Sequence, residues 1–481
     1  VKNPGGRLLI LELNEITWDL VDPLMERGLL PNFRALAEGG VRAAPWASEQ
    51  PQHLDPWITW TTLYTGVPQE VHRLSMLEQD RETRGAPMLW DYLRDAGLRL
   101  GLFGSANSWP PQPVDGFWVP GGFSRDFATY PRELEPIQAL NIGLTRGHTA
   151  GASRPSLKSL APKLLRLGLA PGTMLQAARE MAGIKLNGKT RWKMVALQPV
   201  INFDFFSRLY RQYQPHFATF HSNHVAYYMH RFWRAMDPTP FEVPPTEEER
   251  ATYGRCVEHG YVVADRLLGR LRRLAGPDVT LAVLSSCGQQ PAVGGRYAED
   301  QRNGHVGLQL RIKTLLETLR IADRVEYSNL MAPQWKLDFQ DPALLERTAR
   351  ELTEAWNVTR DVPAFSVHVE GRSMRLGAHR NQDLEDTVAL QTPEGARQFK
   401  ASELVERHAE VVKTGRHHPK GVMLMHGPAV RPGVRIEQCD NLDLAPTLLR
   451  VLGQPVPRIM EGRVLEEALL EKKAERTLAA V

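Results

Sequence analysis

Leu8-Leu9-Ile10-Leu11-Glu12-Leu13-Asn14-Glu15 decides the fold. Six residues, five of them apolar, end at a polar pair, which is the pattern of a strand buried on both faces and stopped by a turn. A helix carrying Trp18, Leu20, Val21 and Leu24 follows and ends at Gly28, and a second, Pro31–Glu38, closes at Gly39-Gly40. Leu89–Ala96 is amphipathic and stops at Gly97; Leu98–Phe103 is again strand-like. This alternation predicts an α/β, doubly wound, mostly parallel sheet with helices on both faces. Chemistry in such sheets sits at the carboxyl ends of strands, which singles out Asn14-Glu15 and Gly104-Ser105-Ala106-Asn107.

Composition narrows the class. The chain has 481 residues, 42% hydrophobic and 24% charged, so disordered and fibrous classes are excluded. A net charge of +4 is small at this length and calls for neither nucleic acid nor a membrane. Cys256, Cys287 and Cys439 are far apart, which excludes a disulfide framework or cysteine-rich zinc module and fits a reducing compartment. The lead-in Val1-Lys2-Asn3-Pro4-Gly5 meets an apolar stretch too short for a signal peptide, and no run approaches the roughly 20 apolar residues of a membrane span. The expectation is a cytoplasmic protein.

Three regions follow from texture. Residues 1–110, 216–330 and 415–481 form the core; 111–215 is a mostly helical, basic insertion; 331–414 is an α+β insertion with a helix at Pro342–Ala355 and strand-like Phe365–Val369 and Thr387–Leu390. Between Arg154 and Lys193 lie Lys158, Lys163, Arg166, Arg179, Lys185, Lys189 and Arg191 against the single acid Glu180. That segment reads either as a solvated helical insertion or as a positive rim that steers an anionic substrate or partner.

Several stretches resemble the alkaline phosphatase superfamily, in particular its type I phosphodiesterase/nucleotide pyrophosphatase-like branch. They are Leu9–Glu15 with Gly28-Leu29-Leu30-Pro31-Asn32; Trp60–Gly66 with Pro68 and His72; Tyr261–Ser285 with Gly288; and the block His417, Gly421, Gly427-Pro428, Asp443–Leu449, Leu452-Gly453 and Gly462–Leu465. The resemblance implies two divalent metals, commonly zinc. One is held by an Asp and two His, the other by two Asp, a His and a Thr/Ser nucleophile. Two such cations neutralise a phosphoryl group and activate the nucleophile.

Carried over residue by residue, the second site is degenerate. Its first-strand Asp falls on Asn14, its Asp-His pair on Ser286-Cys287, and the nucleophile, nine residues before the Thr65-Gly66 step, on Pro56. Too little negative charge remains there for a dication. At the other site the Asp falls on Ala226, whereas His230 and His417 remain, with Asn223, His224, Glu15 or Cys287 available to complete the set. The cofactor expectation is therefore a single divalent metal, zinc or manganese, or none.

Further candidates border the site. Cys287 reads as a thiol nucleophile beside imidazole or as an inert core cysteine, and Ser286 is its neighbour. Asp55 is a general base or a turn residue before proline; Thr59, Thr61 and Thr62 replace Pro56 as hydroxyl candidates if the alignment slips. Catalytic candidates are thus Cys287, Ser286, Asp55 and Asn14; metal ligands, His230 and His417; substrate-binding residues, Glu15, Asn223, His224 and Trp57. The resemblance implies a hydrolase or transferase acting on a phosphate or phosphodiester-type ester, with a small anionic substrate. Two alternatives stand beside it: a pseudoenzyme that binds an anionic ligand or protein partner, and a metal-free thiol or acid/base enzyme. No nucleic-acid partner is expected.

Overall fold

A computed structural model describes residues 6–470 apart from Glu78, Asp80, 146–156, 304–307, 330–332, 380–381 and 408–411. Arg154 and Val1–Gly5 therefore lie outside the described residues.

Strand β1 (Leu8–Leu13) leads into α1 (Trp18–Glu26), α2 (Pro31–Gly39) and β2 (Val41–Ala43). After α3 (Pro56–Thr65) and α4 (Leu89–Asp95) come β3 (Leu100–Phe103) and β4 (Gly116–Val119). Four helices follow: α5 (Glu135–Thr145), α6 (Leu157–Leu167), α7 (Pro171–Leu186) and α8 (Lys193–Tyr213). Then β5 (Phe217–Ser222), α9 (His224–Met236), α10 (Cys256–Ala275), β6 (Thr280–Ser285) and β7 (Gly288–Pro291) complete the first run. The chain returns later with β8 (Gly415–His418), β9 (Val422–His426), β10 (Val434–Ile436) and α11 (Leu444–Val451).

Eight of these strands make one sheet in the order β10-β2-β9-β6-β1-β5-β3-β4. β6, β1, β5, β3 and β4 pair in parallel, as do β2 and β10; β9 alone runs against its neighbours. The fold is therefore α/β with a mostly parallel central sheet. All six residues of β1 are buried. Leu9, Leu11 and Leu13 pack on the side of α1, α2, α8, α9 and α10, and Leu8 and Ile10 on the side of α3, α4 and α11. Two covered faces explain why the run is continuously apolar instead of alternating.

β9 closes tightly on β6. A Cβ on Gly421, just before β9, would lie 2.3 Å from the Ser285 carbonyl oxygen, so only glycine fits there. Beside the sheet, β7 and β8 pair antiparallel, His417 opposite Gln289.

Gly294–Lys413 forms a second compact unit. It holds two four-stranded antiparallel sheets, one containing Gln334–Phe339 and Ser373–Ala378, the other Thr387–Thr392 and Gly395–Lys400. Helix Pro342–Thr353 supplies Leu345 and Leu352 to a core with Leu337, Met374, Leu376 and Val388. Among the described residues, no helix is long and apolar enough to cross a membrane.

Candidate metal centre

The turn after β1 starts the site. Glu15 has φ +63°, a left-handed conformation costly for a side chain with Cβ and concentrated at functional positions. Its carboxylate is 1% exposed. Oε1 accepts from Asn14 Nδ2 at 2.8 Å. Oε2 accepts from Gln289 Nε2 and lies 2.9 Å from His230 Nε2 and 3.5 Å from His417 Nε2.

Three segments supply the other groups. His230 comes from α9, and its Nδ1–H donates to the Gly415 carbonyl at 2.9 Å, which turns Nε2 toward Glu15. The Thr414 N–H in turn donates to the His230 carbonyl at 2.7 Å, locking α9 to the strand that carries His417. The two imidazole rings are 5.2 Å apart. His417 Nδ1 lies 3.7 Å from Asp55 Oδ1, at the residue that begins α3.

Burial alone would raise the Glu15 carboxyl. The charges of His230 and His417, with hydrogen bonds from His230 and Gln289, outweigh it and hold the group at about 2. The acid is a carboxylate across the physiological range.

Glu15, His230 and His417 each offer one ligand atom, all within 4.8 Å of one another, and among the described residues they are the one group of its kind. One carboxylate and two imidazoles are the donors of a three-ligand catalytic zinc site with a position left open. A divalent metal of borderline hardness therefore fits these residues, and the outer partners of His230 and Glu15 are in place.

Asn14 does not offer a carboxylate, and its amide is committed: Nδ2 donates to Glu15 and to Asn223 Oδ1, each at 2.8 Å, and Oδ1 accepts from Trp60 Nε1 at 2.9 Å. Asn14 and Asn223 thus orient Glu15. Asp55 reaches the cluster through His417.

Ser286 and Cys287 are fully buried next to it. The Ser286 hydroxyl pairs with Thr59 Oγ1 at 2.7 Å, and its carbonyl accepts from Asn441 Nδ2 at 2.7 Å. Burial pushes the Cys287 thiol well above its usual range, and the charge of Glu15 adds to the effect. A thiolate is disfavoured there.

Two candidates stand apart. His224 lies at the start of α9 but is buried, with Nε2 donating to the Gly260 carbonyl at 2.9 Å and Nδ1 accepting from Ser222 Oγ at 2.7 Å. Neither ring nitrogen is left for a ligand. Trp57 directs its indole N–H to the Ser75 carbonyl at 3.2 Å.

Sequence reasoning did not single out the network around Glu12. This fully buried acid accepts from the Tyr64 hydroxyl, from Ser105 Oγ at 2.9 Å, and from His221 Nδ1 at 3.0 Å, its register partner on β5. The available signal was one acid inside an otherwise apolar strand.

No protein-family model and no curated protein matches this chain. Among solved structures it is similar to human ectonucleotide pyrophosphatase/phosphodiesterase 5. The identity is 12%, the match covers 97% of this chain and 100% of that one, and the TM-score is 0.42.

Proposed function

We propose that this chain is a hydrolase or group-transfer enzyme acting on phosphate or phosphodiester-type esters at a one-metal centre made by Glu15, His230 and His417. The observation that carries the reading is the convergence of one carboxylate and two imidazoles at the carboxyl end of a parallel sheet, on a residue held at φ +63°. A bound zinc or manganese would polarise the ester and lower the pKa of a bound water.

The chain's own groups do the rest. Asn14 and Gln289 hold the Glu15 carboxylate, and Gly415 fixes the tautomer of His230. Asp55, partly exposed beside His417, is placed to take or return a proton at Oδ1. Helix α3 begins at Asp55, beside His417, and α9 begins at Asn223, which is bonded to the Asn14 that holds Glu15, so two helix N-termini near the cluster favour an anionic group there. The ester class itself rests on the stretches that resemble type I phosphodiesterases.

Ser286, paired with Thr59, and the neutral Cys287 give no support to a second metal or a thiol nucleophile.

The test combines elemental analysis of protein purified without chelators with turnover of p-nitrophenyl phosphate and bis(p-nitrophenyl) phosphate. About one zinc or manganese per chain is expected. His230→Ala and His417→Ala should each lower metal affinity at least a hundredfold and abolish turnover. Metal without turnover of either ester would favour the pseudoenzyme reading. Absence of metal at saturating zinc and manganese would refute the centre.

A further inference from the structure

Helix α7 lies on the surface with an apolar side turned to solvent. At 3.6 residues per turn, Met174, Leu175, Ala178, Met181, Ala182 and Leu186 fall within an arc of about 140°, which Lys185 interrupts near the helix end. All six are exposed, Leu186 to 90% and Met181 to 53%. Thr173, the buried residue of this helix, projects from the other side. A surface helix ordinarily turns such a stripe toward the core. Leu144, at the end of α5, and Leu165, on α6, are exposed as well. Half of the large apolar side chains exposed among the described residues therefore come from residues 144–186.

The same region is basic. From Leu157 to Lys193 there are eight Lys and Arg and one acid, Glu180, an excess larger than the net charge of the entire chain. Lys163, Arg166, Arg179, Lys185 and Arg191 are exposed. Exposed apolar residues among cations are the composition of a helix that lies in a membrane interface. A second copy fits poorly, because two such cationic surfaces repel.

We propose that α6 and α7 dock this protein onto an anionic phospholipid surface. Met174, Leu175, Met181 and Leu186 enter the boundary between headgroups and acyl chains, while Arg179 and Lys185 pair with lipid phosphates. At 16 residues α7 lies on the bilayer and does not span it. This inference is independent of the metal centre.

The experiment is co-sedimentation of the full chain with vesicles of equimolar phosphatidylserine and phosphatidylcholine, and with phosphatidylcholine alone. The expected result is pelleting with the first, weak pelleting with the second, and release as salt rises. Arg179→Ala with Lys185→Ala should weaken binding roughly twenty-five-fold, about fivefold for each charge. Leu175→Glu with Met181→Glu should abolish it, with unchanged metal content and circular dichroism serving as the folding control. Failure to pellet with phosphatidylserine vesicles overturns the proposal, as does full binding by the Leu175→Glu/Met181→Glu protein. So does self-association that this protein loses while the parent ignores vesicles, since the surface would then serve a second copy.

Discussion

Glu15→Gln keeps the shape of a buried side chain and removes the negative charge between His230 and His417. Without metal, the new amide can still accept from Asn14 through its oxygen, but its NH2 then faces Gln289 Nε2, donor against donor. Such a mispaired buried group costs about 1–3 kcal/mol. With metal the contrast is larger. Zinc at a hundredfold over its dissociation constant stabilises the parent by about 2.7 kcal/mol. For a chain of this size that raises Tm by about 3 °C. Losing one of three ligands should weaken affinity at least a hundredfold, more than outer partners of a metal site command, and leaves a shift under about 1 °C. Differential scanning calorimetry with and without zinc or manganese, paired with elemental analysis, reads both effects. A parent that shows no shift with either metal, or a Glu15→Gln protein that keeps the full shift, would refute the reasoning.

Three further outcomes are expected. His72 and His224 are buried, and burial lowers each imidazole to about 4. The unfolded chain therefore takes up these protons first: their contribution is full above pH 6.5, falls as pH drops to about 4, and then levels, by up to about 3 kcal/mol per residue. Urea midpoints that stay flat across that window would contradict this. Gly421→Ala should cost about 3 kcal/mol or more, because its Cβ meets the Ser285 carbonyl oxygen at 2.3 Å and that atom belongs to β6; urea melts that match the parent would exclude so tight a closure. Cys287 should resist iodoacetamide in the native protein, and Cys287→Ala should keep its metal, whereas rapid labelling at Cys287 would revive the thiol reading.

Local pattern carried much of the fold into view. The apolar run Leu8–Leu13, the Gly-closed helices after it and the long amphipathic α10 are readable because periodicity and terminators act between near neighbours in sequence. His230 and His417 stood out differently, through the resemblance to type I phosphodiesterases and not through periodicity. The partner of both was ambiguous. Asn223, His224, Glu15 and Cys287 were equal choices in one dimension, and what separates them is conformational: Glu15 is turned inward by a positive φ, Cys287 is neutralised by burial, and His224 spends both nitrogens on Ser222 and Gly260. Asn14 reads as a lost ligand until its hydrogen bonds show it orienting Glu15.

The reversed β9 and the β7–β8 pairing that sets His417 opposite Gln289 are likewise invisible to periodicity, which is blind to strand direction and order. The outward stripe of α7 follows the same rule: an apolar period identifies a helix face, and only packing decides whether that face meets the core or water. The amino-acid order by itself determined which elements form and where they stop, because those choices are settled within a few residues. The tertiary structure decided which side chains share a site, because residues 15, 230 and 417 meet only when sheet order closes contacts between distant parts of the chain.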